Sequence, residues 1–569
     1  MDATPPEEAR LVAAAERGTW STLGAFVRLS GPGWLQSAIT LGGGSLAGAL
    51  FLGVLTGTRM LWLQLIAMLL GVVMLSAISY VTLSTGQRPF QAIRRHVNPV
   101  LAWGWALAVL LANIVWSLPQ FSLATAAVQQ NLIPSLGGSE HKPLICAVLL
   151  AITVGAVWAY DSGSRGLRIF EWTLKGMVGA IVLCFFGVVW ALATSGEGFD
   201  WGAILSGFLP TWSSLTEPGP AFDDVLTRAG SWGTWWSERI VGEQQSVAVA
   251  AAATAVGINM TFLLPYSMLR KGWNARFRGL AIFDLGTGLL IPFVLATGCV
   301  VVAASNRFHA QVDSAVVDSA AEAIGAKAYL GGLDARLKAE LEPELYAAQS
   351  VSPGLRGELG DEAFTARVAA AMSVVPRADR ELASMLQRRD AFDLARALEP
   401  LTGPRVAQLI FGLGVLAMGL STAIVLMMIS GFVVAEMLGL ELRGWPYRLG
   451  ALLAGIGVLG PFVWSQASFW LAVPTSNFGM VLLPIAYWTF FLMMNSPSLM
   501  GEHMPRGLSR LLWNSAMLVA AGTATVASVA TVDAKVGWVG HAGMGAFLGL
   551  ALVVHLMRRG QITPSSEAR

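Results

Sequence analysis

Twelve apolar stretches follow one another along the chain, at 31–56, 61–84, 100–133, 142–160, 168–193, 245–269, 279–303, 406–437, 449–466, 468–494, 510–531 and 537–557. Each is close to or above the roughly 20 residues that a helix needs to cross a hydrocarbon core. The polar positions between them alternate in character. One set of connections carries Arg88, Arg94 and Arg95, then Arg165 and Arg168, then Arg270, Lys271, Arg276 and Arg278, then Arg443 and Arg448, then Arg506 and Arg510, with Arg558 and Arg559 after the last stretch. The other short connections offer Arg59, Lys142 and Lys535. Cytoplasmic loops retain Lys and Arg, so the pattern predicts an integral membrane protein with both termini cytoplasmic, expected in a bacterial inner (plasma) membrane.

The organisation predicted from this pattern is a cytoplasmic tail over 1–30, spans one to seven over 31–303 with an outer loop at 194–244, an extracytoplasmic charged helical insertion at 304–402, spans eight to twelve over 403–557, and a second cytoplasmic tail at 558–569. The first 30 residues lack the basic segment followed by an apolar run that marks a signal peptide. The insertion holds LDARLKAELEPELY and RELASMLQRRDAFDLARALE, whose apolar residues recur at helical spacing, so a small helical cap is expected there. Asp334 and Lys338, four apart, read as a solvated helix face. A protein partner for 304–402 is not specified by the sequence.

Composition narrows the function classes. Of 569 residues, 55% are hydrophobic and only 13% charged, against roughly 25% charged in a soluble domain, so the main partner is the lipid bilayer. A net charge of +2 with no basic patch gives no footing for nucleic acid. Cys146, Cys184 and Cys299 each fall inside an apolar run, as packing residues and not a disulfide framework. The sequence contains no H-E-x-x-H, no Ser/Lys or Ser/His pair at membrane depth and no Walker loop, so neither an enzyme nor an ATP-driven pump is expected, and no cofactor is implied.

Two spans carry breaks. The first reads GPGWLQSAITLGGGSLAGALFLGVLTG, and three successive glycines, Gly42, Gly43 and Gly44, each cost about 1 kcal/mol relative to alanine inside a helix. Unwinding there has a purpose only if the freed backbone groups face a cavity or ligand; close helix packing through Gly44 and Gly48 is the alternative use. The sixth reads AAAATAVGINMTFLLPYSMLRKGW, with Gly257, Asn259 and Thr261 mid-span and Pro265 a turn later. Two interrupted helices five spans apart point to an inverted-repeat transporter whose site lies between the breaks. The fold class is therefore all-α, with about 12 transmembrane helices.

Five strings in order carry a resemblance. GPGWLQSAITLGGGS is similar to the first helix of the Nramp family of divalent metal transporters, where GPG is followed by an apolar stretch and DPGN. GLRIFEWTLKG resembles that family's G-x-R-x-x-E start of the fifth helix, FDLGTGLLIPFVLATGCVVVAASNRFH its seventh helix, LIFGLGVLAMGLSTAIVLMMISGFVVAEMLGL its eighth, and SLMGEHMPRGLSRLLWN the stretch after its tenth. The resemblance covers nearly all the spans and leaves out the two large outer stretches. It implies a LeuT-type inverted-repeat (5+5) fold with helices 1 and 6 broken, two peripheral helices, and secondary transport of a cation.

As a member of that family the chain is divergent. Gly42 falls where the family has its metal-binding aspartate and Ser45 where it has its asparagine. Asn259, Met260 and Thr261 fall on the Met-Pro-His motif of the sixth helix, and the third helix carries no carboxylate, Gln120 beside Pro119 being the nearest polar substitute. A hard divalent cation sheds water only for strong oxygen donors. The remaining candidates are neutral: Gly42, Gly43, Gly44, Ser45, Gly257, Asn259, Met260, Thr261, Ser421, Thr422 and Asn477, with no metal ligand assigned. Glu171, Asp284 and Glu436 fall at helix ends and read as structural partners of nearby Arg, and His541 and His555 as peripheral. The expected substrate is Mg²⁺ or Mn²⁺ ahead of softer metals. The alternatives are a neutral polar solute on the same scaffold, or a non-transporting receptor or assembly protein that uses 304–402.

Overall fold

The computed structural model describes residues 6–162, 164–194, 200–387, 389, 391–463 and 472–562. Among these every regular element is a helix. The pair Pro32–Thr40 and Gly43–Thr56, bent by 56° at its break, forms the first span. Eleven more helices are long and apolar enough to cross a membrane: Leu61–Thr85, Pro99–Leu132, Ser139–Asp161, Arg168–Thr194, Gly230–Arg270, Ala275–Phe308, Ala407–Met437, Trp445–Val463, Thr475–Met494, Gly507–Lys535 and Trp538–Arg558. These correspond one for one with the apolar stretches of the sequence. The expected boundary between the ninth and tenth, at 466–468, lies outside the described residues, as do parts of the 194–244 loop and of both tails.

Burial sorts the spans by role. The eighth is buried along much of its length, with Val425, Leu426, Met427, Met428, Ile429, Phe432 and Val433 inaccessible, and it packs against the third and ninth. The twelfth turns Leu548, Leu552, Val553 and Leu556 outward, as a helix at the lipid boundary does. His541 and His555 lie on that peripheral helix.

At the end of the bundle where the chain begins, the spans are tied by charge. Arg270 and Arg448 both reach the Asp161 carboxylate, at 3.5 and 3.0 Å, Lys271 meets Glu171 at 2.9 Å, and Arg88 lies 3.5 Å from Glu436. Asp284 has a different partner from the arginine expected. Its carboxylate accepts from Gly31 N at 3.2 Å, Gly33 N at 2.6 Å and the Ser30 hydroxyl, so it sits at the free amides that open the first span. The GPG motif follows from this contact, because a Cβ on Gly33 would stand 2.2 Å from the Asp284 carbonyl oxygen.

At the opposite end the two outer stretches build one cap around a second apolar core. Phe222, Trp236 and Ile240 from the first stretch pack with Tyr329, Leu333, Leu337, Phe364, Val368 and Leu382 from the second. Asp334 does not pair with Lys338; its carboxylate accepts from Tyr346 at 2.8 Å, Ser350 at 2.7 Å and Val351 N at 2.9 Å, because the following helix folds back over it. In the middle of the cap the Arg336 guanidinium meets Asp379 at 2.9 Å with both side chains buried, and Trp236 Nε1 donates to the same carboxylate at 2.9 Å. Removing one member of a buried pair leaves an uncompensated charge and costs roughly 3–5 kcal/mol. Glu340, 2.6 Å from Arg336, remains as a partial substitute. Asp379→Ala is therefore expected to destabilise the cap toward the lower end of that range, seen as faster hydrogen exchange over 314–385 with exchange in the spans unchanged; equal exchange in both proteins would contradict this.

The cap is continuous with the sixth span. Trp236 and Ile240 belong to the cap core, and the same helix, Gly233–Ala255, runs on into the bundle, about 22 Å beyond Ile240 at 1.5 Å per residue. The apolar pattern placed the start of this span at 245 because Glu238, Arg239, Glu243, Gln244 and Gln245 interrupt it. His309 ties the cap to the end of the first span, its Nδ1 3.0 Å from the Val54 carbonyl oxygen and its ring edge-on to Phe222.

Candidate functional site

The break in the first span is shorter than the run of glycines suggested. Only Leu41 and Gly42 leave the helix; Gly43 and Gly44 already belong to the second half, Gly43–Thr56. Free amides at the start of a helix need acceptors, and Gly43 N donates to Gln120 Oε1 of the third span at 3.0 Å. The carbonyls ending the first half find donors too. Ser45 Oγ lies 2.6 Å from the Thr40 oxygen and 2.9 Å from that of Gly42, while Ser421 and Thr422 of the eighth span reach the Ala38 oxygen at 3.1 and 3.2 Å. Gly48, the alternative packing glycine, lies against the backbone of Ala251 on the sixth span, so both uses of small residues occur in this helix.

The sixth span breaks at Val256 and Gly257, both extended, between Gly233–Ala255 and Ile258–Arg270. Ile258 to Thr261 are helical, and Pro265 sits inside the second half without interrupting it. Asn259 Oδ1 accepts from Met260 N at 2.9 Å, leaving Asn259 Nδ2 buried without a partner among the described residues. The Met260 sulfur is held between the breaks. Thr40 Oγ1 lies 3.1 Å from it, with the Ala255 carbonyl oxygen 3.4 Å away as a second acceptor for the same hydroxyl, and Gly257 N donates to it at 3.4 Å.

A cavity of about 40 Å³ lies where the two breaks meet, lined by Ile39, Thr40, Gly42, Gly44, Ser45, Trp116, Gln120, Thr254, Gly257, Asn259, Met260, Thr422, Thr475 and Ser476. At roughly 10–15 Å³ per water on this measure, it has room for about three water-sized species. Drug-sized pockets run to ~300–1,000 Å³. Among the described residues no charged side chain touches it, and no three His, Cys, Asp or Glu side chains gather elsewhere.

Of the residues singled out in the sequence, the structure brings Gly42, Gly44, Ser45, Gly257, Asn259, Met260 and Thr422 onto one wall or another of this cavity. Gly43, Thr261, Ser421 and Asn477 stand off it. Thr261 accepts from Trp105 Nε1 at 2.9 Å and donates to the Ile258 carbonyl, which turns its hydroxyl away. Thr40, Trp116, Thr254, Thr475 and Ser476 were not anticipated. Position offered a signal for most of them: Thr40 immediately precedes the first break, Thr254 lies two residues before the second, and Trp116 lies one turn before Gln120 on the same helix face.

The Nramp profile, described as natural resistance-associated macrophage protein-like, matches residues 33–333 and 364–531. The chain belongs to the Nramp family. The match runs through the outer loop and the beginning of the insertion, so 334–363 alone is left between the matched segments, less than the resemblance in the sequence had set aside. Solved structures similar to the chain include the Eremococcus coleocola manganese transporter bound to an aromatic bis-isothiourea compound, at 14% identity and TM-score 0.60, over 95% of this chain and 96% of that one. A variant of the same transporter with glutamate replaced by glutamine aligns at 13% identity and TM-score 0.61, over 94% and 96%. At these identities the likeness shows the fold, an Nramp scaffold of inverted repeats with the first and sixth helices broken. Comparison with curated proteins finds no match.

Within that scaffold, the position expected to carry the family's aspartate is crowded by the Thr422 side chain. A Cβ on Gly42 would stand 2.5 Å from Thr422 Oγ1 and 3.2 Å from its methyl group. Gly257 is crowded in the same way by the Trp116 ring, 2.3 Å from where its Cβ would be. Neither glycine is required by backbone conformation, since Gly42 has φ −108° and Gly257 φ −87°; both are required by close approach.

Proposed function

We propose that this Nramp chain is a secondary transporter working by alternating access, that its solute is a divalent metal cation, and that the solute is held between the breaks of the first and sixth spans. The observation that carries the reading is the size and lining of the cavity at the meeting of the two breaks. Room for about three water-sized species accommodates an ion with part of its hydration shell. Neutral oxygens on lining residues such as Ser45, Gln120 and Thr422 supply the rest, without the charge that a carboxylate would contribute. Because the polar groups lining the cavity are mostly oxygens, with Met260 the one sulfur among them, oxygen-preferring ions are favoured over soft ones. Mg²⁺ gives up water reluctantly, so a chamber too small for a complete shell places Mn²⁺ ahead of Mg²⁺. The loops rich in Lys and Arg support a cytoplasmic side for both termini and an outer side for the cap.

Isothermal titration of the purified protein checks the cation. Mn²⁺ is expected to give a saturable isotherm that Mg²⁺ displaces weakly and Zn²⁺ more weakly still; no heat and no competition among the three would remove the metal reading.

One observation favours a second reading. The unpartnered Asn259 Nδ2 is a hydrogen-bond donor at the cavity wall, and a donor suits a solute that offers an acceptor oxygen more than it suits a cation. A small uncharged polar solute would satisfy it, and uptake insensitive to chelators would identify that case.

A further inference from the structure

Gln36 and Asn113 are polar, wholly inaccessible and incompletely paired. Neither Oε1 nor Nε2 of Gln36 has a partner among the described residues, nor has the hydroxyl of Ser37 beside it or Oδ1 of Asn113. Each unpaired buried group costs about 1–3 kcal/mol, and most buried polar groups in folded proteins are paired. Their places in the helices are not arbitrary. Gln36 lies one turn before Thr40, and Asn113 one turn before Trp116 and two before Gln120; Thr40, Trp116 and Gln120 all line the cavity. The third residue of the group, Ser430, is two turns past Thr422 on the eighth span and accepts from Asn113 Nδ2 at 3.2 Å. In all three spans the displacement from the cavity is in one direction, away from the cap and toward the end where the chain begins.

We infer that Gln36, Ser37 and Asn113 line the route by which the solute leaves the cavity on the side opposite the cap, and that their unpaired groups are satisfied by water and solute when that route opens. This rests on the transporter reading above. In the closed arrangement the unpaired groups destabilise the seal in which the inner half of the first span and the third span each pack on the eighth, which biases the protein toward opening; on opening, hydration repays the penalty. A purely apolar seam would close more firmly and release more slowly.

Gln36→Leu in the full chain separates this role from a structural one. Replacing an unsatisfied amide by an apolar group of similar size is neutral or stabilising, so the melting temperature is expected to hold or rise while uptake into proteoliposomes falls roughly tenfold, the effect of stabilising the closed state by about 1.4 kcal/mol. The dissociation constant for Mn²⁺ should stay unchanged, because Gln36 does not touch the cavity. Asn113→Leu should behave alike, since Ser430 retains its bond to the Leu426 oxygen at 3.0 Å. Undiminished uptake, a lower melting temperature, or weaker Mn²⁺ binding in step with uptake would overturn the inference. Labelling tests the route whatever the solute proves to be. With Cys146, Cys184 and Cys299 replaced, Gln36→Cys should react with an impermeant maleimide added on the side of the N-terminus and not on the cap side; a thiol that reacts from the cap side, or from neither, would refute the route, while absence of Mn²⁺ binding by the unsubstituted protein would refute only the metal reading.

Discussion

Gly42→Asp alone is expected to abolish uptake, and Gly42→Asp combined with Thr422→Ala to yield a protein that binds Mn²⁺ more tightly than the unsubstituted chain. The single change introduces a Cβ 2.5 Å from Thr422 Oγ1 and 3.2 Å from its methyl group, so the short, β-branched Thr422 side chain must shift to accommodate it. Shortening Thr422 removes both the hydroxyl and the methyl contact, and the nearest remaining atom, Gln120 Oε1 at 3.3 Å, is the end of a flexible side chain. Backbone conformation offers no resistance, because Gly42 is extended. Ser421 continues to supply the Ala38 carbonyl. The added carboxylate gives a hard cation its preferred donor, for which a gain in affinity on the order of tenfold or more is expected at constant geometry. Titration with Mn²⁺ decides the matter; a double variant no tighter than the parent, or a single variant that transports normally, would show that Thr422 does not exclude a side chain here.

Trp116→Ala carries the second large effect. The indole fills the volume over Gly257 and Gly479, with added Cβ atoms at 2.3 and 2.1 Å from it, and its Nε1 donates to the Thr475 carbonyl at 2.5 Å. It is thus the side chain that brings the third, sixth and tenth spans into contact around the cavity. Truncation leaves a void that this backbone cannot collapse into without moving two broken or glycine-bearing helices, so a loss of about 3–5 kcal/mol is expected. The widened chamber should also admit larger solutes. A melting temperature close to that of the parent, together with unchanged discrimination by solute size, would contradict the assignment of Trp116 as a wall.

The spans were legible because crossing a membrane demands about 20 apolar residues in a row, a signal local to each segment. The breaks were legible to within a few residues, yet their edges were not. Gly43 and Gly44 read as unwound because glycine lowers helix propensity, but the first turn of a helix leaves its amides free in any case, and Gln120, 77 residues away, caps one of them. Pro265 read as part of the second break for a similar reason, although a proline seven residues beyond the helix start can be carried by neighbouring spans. Several lining residues, among them Ser45, Asn259, Met260 and Thr422, were legible as polar or soft groups beside the breaks, but which side chain closes on which glycine was not. That Thr422 fills the space at Gly42, or Trp116 the space at Gly257, is a fact of packing between distant segments and leaves no local trace. The cap shows the same division: helical spacing was visible in 304–402, whereas the shared core with Phe222 and Trp236, and the bond of Asp334 to Tyr346 in place of Lys338, depend on how the chain folds back.

Anomalous diffraction from crystals of the unsubstituted protein grown with Mn²⁺ addresses the central claim most directly. One peak is expected between Gly42 and Asn259, inside the cavity, with water completing the coordination of the ion. No peak there at saturating Mn²⁺, or a peak held by carboxylates elsewhere in the bundle, would contradict a neutral cation site between the two broken spans.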